Sequence, residues 1–322
     1  MEPKQHEIII KEVIEVPTSP TNPTESNSSK KRMKRSQDRF NDVFGNPRYN
    51  VHYIVANFEA MKREVAMNRL KVEIFDQSKN QCYQKCVEYL LYLYWEYNST
   101  HKCSDSVIFM AVSVFTRYFN VVNEKVFGQR LYLLVATSFF IALKVEEKEW
   151  PELVKFLNYA KKFHCCYSCT SLVSIENEIW YQLDMQICRF TPIRILDLLF
   201  LYSRDTNYQI HDFAELLLLI SLQELHMSRF DPILNVCCAL YLAHRVYSIE
   251  PAWSDDLKCL TGINEEDFTE IKNEYFSMTK YLNHYDIRRY VDVDKNEVAF
   301  SLPFLNRILY NDKVIQHKKN IL

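Results

Sequence analysis

The chain has 322 residues, of which 48 % are hydrophobic and 14 % aromatic, enough for two packed domains of about 100 to 150 residues each. Its formal net charge is −2, so it has no overall basic field of the kind that binds nucleic acid. Only 3 glycines occur, which excludes the glycine-rich phosphate loops of nucleotide-binding enzymes. No apolar segment follows a basic start at the N-terminus, so we expect no secretory signal and reduced thiols at the 10 cysteines.

Residues 1–48 are predicted to be a disordered N-terminal tail. Val16–Ser29 is rich in proline, serine, threonine and asparagine and cannot bury enough apolar surface to fold. Ser19 precedes a proline, the minimal pattern of a proline-directed phosphorylation site. A basic run follows, made of Lys30, Lys31, Arg32, Lys34 and Arg35. Such a run is either a solvated charge cluster or a nuclear import signal, and the sequence favours the two about equally.

Helical periodicity begins at Tyr49, from which apolar residues recur every three to four positions as far as Leu70. The sequence predicts further helices over Asn80–Tyr97, Ser104–Asn120, Leu131–Leu143, Pro151–Lys162 and Ser168–Leu183. A second group follows, predicted over Ile193–Ser203, Tyr208–Met227 and Ile233–Ser248 and from Asn264 onward. Proline directly after Thr191 and after Asp231 is typical of a helix start. We therefore expect a helix to begin at each of these two positions in the second group.

The segment Leu131–Leu143 is apolar on every side apart from two small hydroxyl residues. A helix of this kind is buried all round, and it is shorter than the roughly 18 to 20 residues that span a bilayer. We therefore expect the central helix of a globular domain and no membrane segment. A charged run follows it directly, made of Lys144, Glu146, Glu147, Lys148 and Glu149 and closed by Trp150-Pro151.

The chain contains an internal repeat. Val135–Lys144 (VATSFFIALK) aligns without gaps on Val236–Arg245 (VCCALYLAHR), and Ile175–Glu178 (IENE) is similar to Ile271–Glu274 (IKNE). Two copies of about 100 residues, each with about five helices, indicate a tandem helical architecture. The predicted fold is all-α, with domains at 49–188 (including an extra N-terminal helix) and 189–291, and a C-terminal extension at 292–322.

Several segments resemble the cyclin family. Ala142–Glu147 with Pro151 is similar to the family's Ala-Ser-Lys-Phe-Glu-Glu…Pro signature, and Ile175-Glu176 is similar to the Met-Glu that opens its fifth helix. Ala111-Val112 with Thr116–Phe119 resembles its Ala-Val-x-x-x-Asp-Arg-Phe segment, although Thr116 replaces the aspartate. Val298–Leu305 is similar to the segment after the boxes of mitotic cyclins. The resemblance, which covers residues 50 to 305, favours a divergent A/B-type cyclin with two cyclin boxes.

The resemblance implies a regulatory subunit of a cyclin-dependent protein kinase that controls cell division. It assigns kinase contact to Lys144 and Glu176, with Glu147 and Phe140 beside them, and supplies no catalytic group. We therefore expect a non-enzyme without cofactor or metal, present in nucleus and cytoplasm, whose partner is the kinase catalytic subunit and not nucleic acid or membrane.

The helix that opens the first box departs from the family pattern. The family's substrate-docking patch maps onto Cys86, Tyr89, Leu90, Leu93 and Glu96. Only Glu96 matches in type, and Leu93 replaces the family's tryptophan. The arginine and aspartate of the family's buried pair map onto Val87 and Tyr92, a loss that can be neutral for stability. A substrate-docking role is a hypothesis on these grounds.

Two other functions are open from the sequence. The first is a nucleic-acid-binding transcription scaffold, because B-type basal transcription factors also use two cyclin-like repeats; the net charge and the absence of cysteine before Cys82 rank it lower. The second is a pseudo-cyclin that docks partners without activating a kinase. A zinc site at His164, Cys165, Cys166 and Cys169 is disfavoured because no second pair of ligands stands nearby.

Overall fold

The computed structural model describes residues 51–67, 77–121, 129–161, 167–187, 190–203, 205 and 207–280. Eleven α-helices, two short 3-10 helices and no strand occur over these ranges, which confirms the all-α prediction. None of the helices found there has the length and hydropathy needed to cross a bilayer. The predicted tail with Ser19 and the basic run, Val298–Leu305 and the extension at 292–322 lie outside the described residues.

The helices are distributed over two compact units. The first unit contains α2 (Gln77–His101), α3 (Ser106–Val121), α4 (Gln129–Glu146), α5 (Leu153–Lys161) and α6 (Cys169–Gln182). The second contains α1 (Val51–Met67), α7 (Pro192–Ser203), α8 (Tyr208–Ser221), α9 (Pro232–Val246), α10 (Asp255–Thr261) and α11 (Thr269–Thr279). The apolar segment predicted over Tyr208–Met227 is divided, because α8 ends at Ser221 and a 3-10 helix covers Leu225–Arg229.

Helix α4 is the centre of the first unit, where it packs against α2, α3 and α6. Every residue from Leu133 to Leu143 is buried, as the uninterrupted apolar run predicts. The two hydroxyl residues in this run are satisfied inside the helix, since Thr137 donates to the Leu133 carbonyl at 2.6 Å and Ser138 to that of Leu134 at 2.9 Å. The backbone of α4 is thus held in place by the helices packed around it.

Two hydroxyl groups pair in the interior of the first unit, one of them at Thr116, where the resemblance places an aspartate. The Tyr83 hydroxyl lies 3.0 Å from Thr116 Oγ1, which in turn donates to the Val112 carbonyl at 2.7 Å. Burial raises the pKa of Tyr83, so its hydroxyl stays protonated and donates to Thr116. Val87 is fully buried. Val87 and Thr116 are therefore buried neutral residues, and burying them avoids the desolvation cost that buried ions carry.

Helix α9 occupies the same place in the second unit, packed against α7, α8 and α11. Its start follows the predicted pattern: Pro232 is the first helical residue, and the Asp231 carboxylate accepts from the Ile233 amide at 2.8 Å. Gly262, at φ 74°, ends α10 in the left-handed conformation that glycine adopts without strain.

Helix α1 belongs to the second unit, although the sequence analysis grouped it with the first domain. It packs against α7 and α9, with Phe58 fully buried and Lys62 Nζ donating to the Leu260 carbonyl at 3.3 Å. Conversely, the short segment Gln223–His226 belongs to the first unit, where Gln84 Nε2 on α2 donates to Glu224 at 2.7 Å. Contacts between segments distant in sequence therefore decide to which unit helix α1 and the segment Gln223–His226 belong.

Candidate functional site

Lys144 and Glu176 form an ion pair in the first unit. Lys144 lies in the last turn of α4 and Glu176 in the middle of α6, and the Lys144 ammonium donates to Glu176 Oε1. The structure thus brings together the two residues that the sequence analysis predicted to act as one site. It differs in their placement, because Glu176 lies inside α6 and not at its start.

The surroundings of the pair restrict both side chains. The Lys144 ammonium lies 4.8 Å from the centroid of the Phe140 ring, one turn earlier on α4, a distance suited to a cation–π contact. Trp180 Nε1 lies 3.4 Å from Glu176 Oε1, at the long end of hydrogen-bonding distance. The Lys144 side chain is 28 % exposed and that of Glu176 12 %. Partly buried charges with several neighbours need little further ordering when they meet a partner.

Glu147, which the sequence analysis placed beside the pair, makes a contact inside the first unit. Its Oε1 accepts from the Ser104 amide at 2.6 Å, just before α3 begins. Its own amide donates to the Leu143 carbonyl at 3.0 Å. Glu147 therefore joins the end of α4 to the connection between α2 and α3, so in this structure its carboxylate holds the end of the helix that carries Lys144.

A second charged cluster holds α6. The Arg130 guanidinium on α4 binds both oxygens of Glu178 at 2.7 and 2.9 Å, and the Tyr118 hydroxyl on α3 donates to the same carboxylate. Burial, together with the hydrogen bond to Glu178, raises the pKa of Tyr118 to about 12, so the hydroxyl is protonated and donating at neutral pH. Helix α6, which carries Glu176, is thus fixed to α3 and α4 through Glu178, two residues after Glu176.

Exposed apolar residues follow both members of the pair along the chain, and the sequence analysis did not identify them as functional. Val145 follows Lys144 directly and is exposed, as are Trp150 and Val154 further along. Tyr181 and Met185, at the end of α6, are 78 % and 70 % exposed. A single large apolar side chain on the surface is common, whereas several that gather in one patch are typical of an interface. Little in the sequence indicates these exposed residues, because the charged residues at the end of α4 indicate only that the helix stops there.

The turn after α6 is backbone-strained. Asp184 and Met185 have φ of 50° and 56°, the left-handed region that costs a residue with a side chain on the order of 1 kcal/mol or more. The Met185 amide donates to the Trp180 carbonyl at 2.9 Å and closes the turn. This conformation directs the chain away from α6 while the Met185 side chain stays in solvent.

The predicted substrate-docking patch is not a surface in this structure. Four of its five residues are buried in the first unit, namely Cys86, Tyr89, Leu90 and Leu93. Glu96 alone is partly exposed. Burial raises the pKa of the Cys86 thiol well above its ordinary value, as expected for a cysteine that packs. A docked peptide needs accessible side chains, so the docking role stays a prediction that this conformation does not display.

The second unit contains a buried histidine–carboxylate cluster. His211 Nε2 lies 2.8 Å from Asp197 Oδ1 and its Nδ1 lies 3.9 Å from Asp212. Burial alone lowers the pKa of His211, but the hydrogen bonds to Asp197 and Asp212 and the charges of Asp197 and Glu215 outweigh it and raise the pKa to about 9. The ligand atoms of His211, Asp212 and Glu215 lie within 4.8 Å of one another. Since Asp197 already binds the imidazole, we interpret the cluster as a structural ion-pair network.

The predicted cysteine-rich segment, His164 to Cys169, is described by the structure only in part. Three of its four candidate zinc ligands, His164, Cys165 and Cys166, lie outside the described residues. Cys169 is a free, partly buried thiol at the start of α6.

Two family models match the chain. The model for the N-terminal domain of cyclins matches residues 56–188 and that for the C-terminal domain of cyclins matches residues 190–297. Together they cover most of the chain and correspond to the two copies of the internal repeat. The prediction of a divergent cyclin with tandem cyclin domains is confirmed.

Sequence similarity to individual curated proteins is low. The chain is 23 % identical over 229 residues to the G2/mitotic-specific cyclin-B2 of Rana japonica, covering 70 % of this chain and 56 % of that protein. It is 19 % identical over 221 residues to a putative cyclin-B3-1 of Arabidopsis thaliana, covering 67 % of this chain and 53 % of that protein. The chain therefore spans about half the length of the curated relatives it matches.

Solved structures share the fold at still lower identity. A viral cyclin from herpesvirus saimiri matches with a TM-score of 0.57 and 15 % identity, over 72 % of this chain and 100 % of that one. A chain of the yeast RNA Pol II CTD kinase CTDK-1 complex matches at 0.53 and 13 %, over 72 % and 76 %. A chain of the Chaetomium thermophilum CAK complex bound to ATP-gamma-S matches at 0.50 and 14 %, over 89 % and 95 %.

Proposed function

The chain belongs to the cyclin family, and from that premise we propose that it is the activating subunit of a cyclin-dependent protein kinase. Members of this family are regulatory subunits, which agrees with a protein that contributes a surface to a reaction and no reacting group. The observation that carries the proposal is the Lys144–Glu176 ion pair, held on two fixed helices at the position of the family signature.

The pair is suited to binding a partner because it is already assembled. An ammonium has three N–H donors, and the one that binds Glu176 fixes the direction of the other two. Helix α4 is buried from Leu133 to Leu143, so the Lys144 backbone loses little freedom on binding. Donation to carbonyl oxygens at a helix end of the kinase therefore costs little ordering entropy.

The proposed mechanism is a population shift. The surface formed by Lys144, Glu176 and the exposed Val145 presses against the kinase αC helix. Contact holds the αC glutamate on the catalytic lysine and orders the activation loop, which are both required for phosphoryl transfer. The cyclin acts only through its greater affinity for the active kinase conformation.

We further propose a role in mitotic cell division. The support is that both curated sequence matches are B-type cyclins, one of which is named as mitotic-specific. The matched CTD kinase and CAK complexes support a kinase partner in general terms. The second candidate is a pseudo-cyclin that docks partners without activating a kinase, and its support is the altered helix α2, whose predicted docking residues are mostly buried.

The test is to titrate purified cyclin-dependent kinase catalytic subunits with the wild-type chain and with three single variants. Lys144→Ala and Glu176→Ala each remove one member of a charge set in a partly dry interface, which costs about 2 to 5 kcal/mol. Affinity is then expected to fall about 30-fold to several thousand-fold. Lys148→Ala is the matched control, since Lys148 is exposed and belongs to the same charged run. Equal affinity of all three variants would contradict the assignment of this interface.

A further inference from the structure

Arg117, on α3, is a charged residue of the segment Thr116–Phe119 that the proposed kinase contact does not use. Its guanidinium donates to the Gln186 carbonyl at 2.6 Å, so the side chain reaches from α3 to the turn that follows α6. The next residue of α3, Tyr118, donates to Glu178 within α6. Two consecutive residues of α3 therefore hold α6, one at the helix itself and the other just after its end.

The turn after α6 has the hydrogen bonds of a Schellman motif but not its usual residue. The Met185 amide donates to the Trp180 carbonyl at 2.9 Å and the Asp184 amide to the Tyr181 carbonyl at 3.2 Å, the pair of bonds that closes many helices. Glycine is the usual left-handed residue of this motif, because it has no Cβ. Here Asp184 and Met185 both have positive φ. Two side chains are thus kept where glycine is the less strained residue, a pattern that is typical of functional positions.

The strained turn places an apolar side chain in solvent at the end of the helix that carries Glu176. Trp180, whose carbonyl binds the Met185 amide, is four residues after Glu176 and about 6 Å further along the helix axis. Its indole Nε1 lies 3.4 Å from Glu176 Oε1, and the Met185 side chain is 70 % exposed. A methionine adapts its shape to an irregular apolar surface. Met185 is therefore suited to contact the partner that meets the Lys144–Glu176 pair.

The bond from Arg117 differs in kind from the bonds that close the turn. Those are local to the segment Trp180–Gln186 and include a bond from the Gln186 amide to the Leu183 carbonyl at 2.8 Å. They act against two left-handed residues, which favour relaxation to other conformations. The Arg117 bond is charge-assisted and comes from α3, a helix packed against α4 and α6. It therefore fixes the far end of the turn from outside the segment.

We propose that Arg117 is a positioning residue for the kinase-binding surface, because it holds the turn after α6 in the conformation that presents Met185 to the kinase. This inference rests on the proposed function and names a residue on which that surface depends. Arg117 acts through the turn and lowers the entropy lost when the Met185 side chain is ordered on binding. The ordering of one such side chain corresponds to a change in affinity of about threefold to tenfold.

The experiment titrates purified cyclin-dependent kinase catalytic subunits with the wild-type full chain, Arg117→Ala, Met185→Ala and the double variant. Arg117→Ala is expected to bind about threefold to tenfold more weakly, and Met185→Ala at least about fivefold more weakly. Added to Met185→Ala, the arginine change is expected to weaken binding by less than about twofold, since the two residues act as one unit. Arg117→Lys keeps a donor and is expected to recover part of the affinity.

A second measurement needs no kinase. Hydrogen exchange of the full chain, followed by mass spectrometry of peptides, is expected to show the amides of Met185 and Gln186 exchanging at least about fivefold faster in Arg117→Ala. Arg229→Ala is the matched control, since it removes an arginine that binds Glu270 at 2.7 Å in the second unit. It is expected to change neither this exchange nor kinase affinity. Circular dichroism and thermal melting check that each variant folds, and Arg117→Lys repeats the test if the alanine variant does not.

Two results would overturn the inference. One is unchanged exchange of the turn amides in Arg117→Ala, which would mean that the local bonds hold the turn without the arginine. The other is an equal loss of kinase affinity from Arg117→Ala with and without Met185, which would mean that the arginine does not act through the turn. A wild-type chain that binds no kinase would instead refute the proposed function, and the exchange measurement would still decide whether Arg117 holds the turn.

Discussion

Exchanging the two charges of the central pair separates their role in folding from their role in binding. The double variant Lys144→Glu with Glu176→Lys keeps an ion pair between α4 and α6 but reverses its direction. Each single change instead leaves two like charges together at side chains that are 28 % and 12 % exposed. Folding and kinase binding should therefore respond differently to the single and double changes.

The expected effect on stability follows from the contacts. Losing a partly buried, charge-assisted hydrogen bond costs about 1 to 3 kcal/mol, so each single variant should unfold at a lower urea concentration than the wild type. The double variant should recover most of that loss. Recovery is incomplete because a glutamate above the Phe140 ring lacks the cation–π contact seen at 4.8 Å, a contact that contributes about 0.5 to 1 kcal/mol.

Kinase binding should not recover. A kinase surface that accepts from an ammonium meets a carboxylate in the double variant, so affinity is expected to stay at least about 30-fold below that of the wild type. Urea unfolding and kinase titration of the same four proteins provide the two measurements. If the double variant binds the kinase like the wild type, or is as unstable as the single variants, the reasoning about this pair is wrong.

Other consequences concern separate parts of the chain. Stability should fall as pH rises from about 6.5 through about 9, because burial lowers the folded-state pKa of His211 but the carboxylates of Asp197, Asp212 and Glu215 outweigh it and raise that pKa to about 9. Protonation of the folded form contributes on the order of 3 kcal/mol below pH 6.5, and this contribution is lost above pH 9. His211→Asn should flatten this part of the pH–stability profile, and an unchanged profile would contradict the assignment. A chain that starts at Asn46 should bind the kinase as tightly as the full chain, since the composition of the tail disfavours a folded interface; a large loss of affinity in the titration would place the tail in the interface. We propose that Lys30–Arg35 directs nuclear import, so replacing its five basic residues with alanine should shift a tagged protein toward the cytoplasm; unchanged nuclear accumulation by microscopy would leave the run as a solvated charge cluster.

Much of the fold could be predicted from local patterns. An apolar run without a polar face specified α4 as a buried helix, and Asp231-Pro232 specified the start of α9. The pairing of Lys144 with Glu176 came from the family resemblance, because periodicity along one chain does not say which residues of two helices meet.

What could not be predicted depends on contacts between distant segments. The apolar face of α1 shows that the helix packs, but not that α7 and α9 of the second unit cover it. In the same way, Leu90 and Leu93 could be placed on one stripe of α2 but not identified as buried. Glu147 reads as a surface charge in the sequence, whereas its partner is a backbone amide that precedes α3.

The central claim is that this chain activates a cyclin-dependent kinase through the Lys144–Glu176 surface. The most direct measurement is affinity purification of the tagged wild-type chain and of the charge-exchanged double variant from the native cells, followed by phosphorylation of a histone-like substrate by each eluate. The account predicts a co-purified protein kinase and strong phosphorylation with the wild type, and little of either with the double variant. Equal kinase activity in both eluates, or none with the wild-type chain, would contradict it.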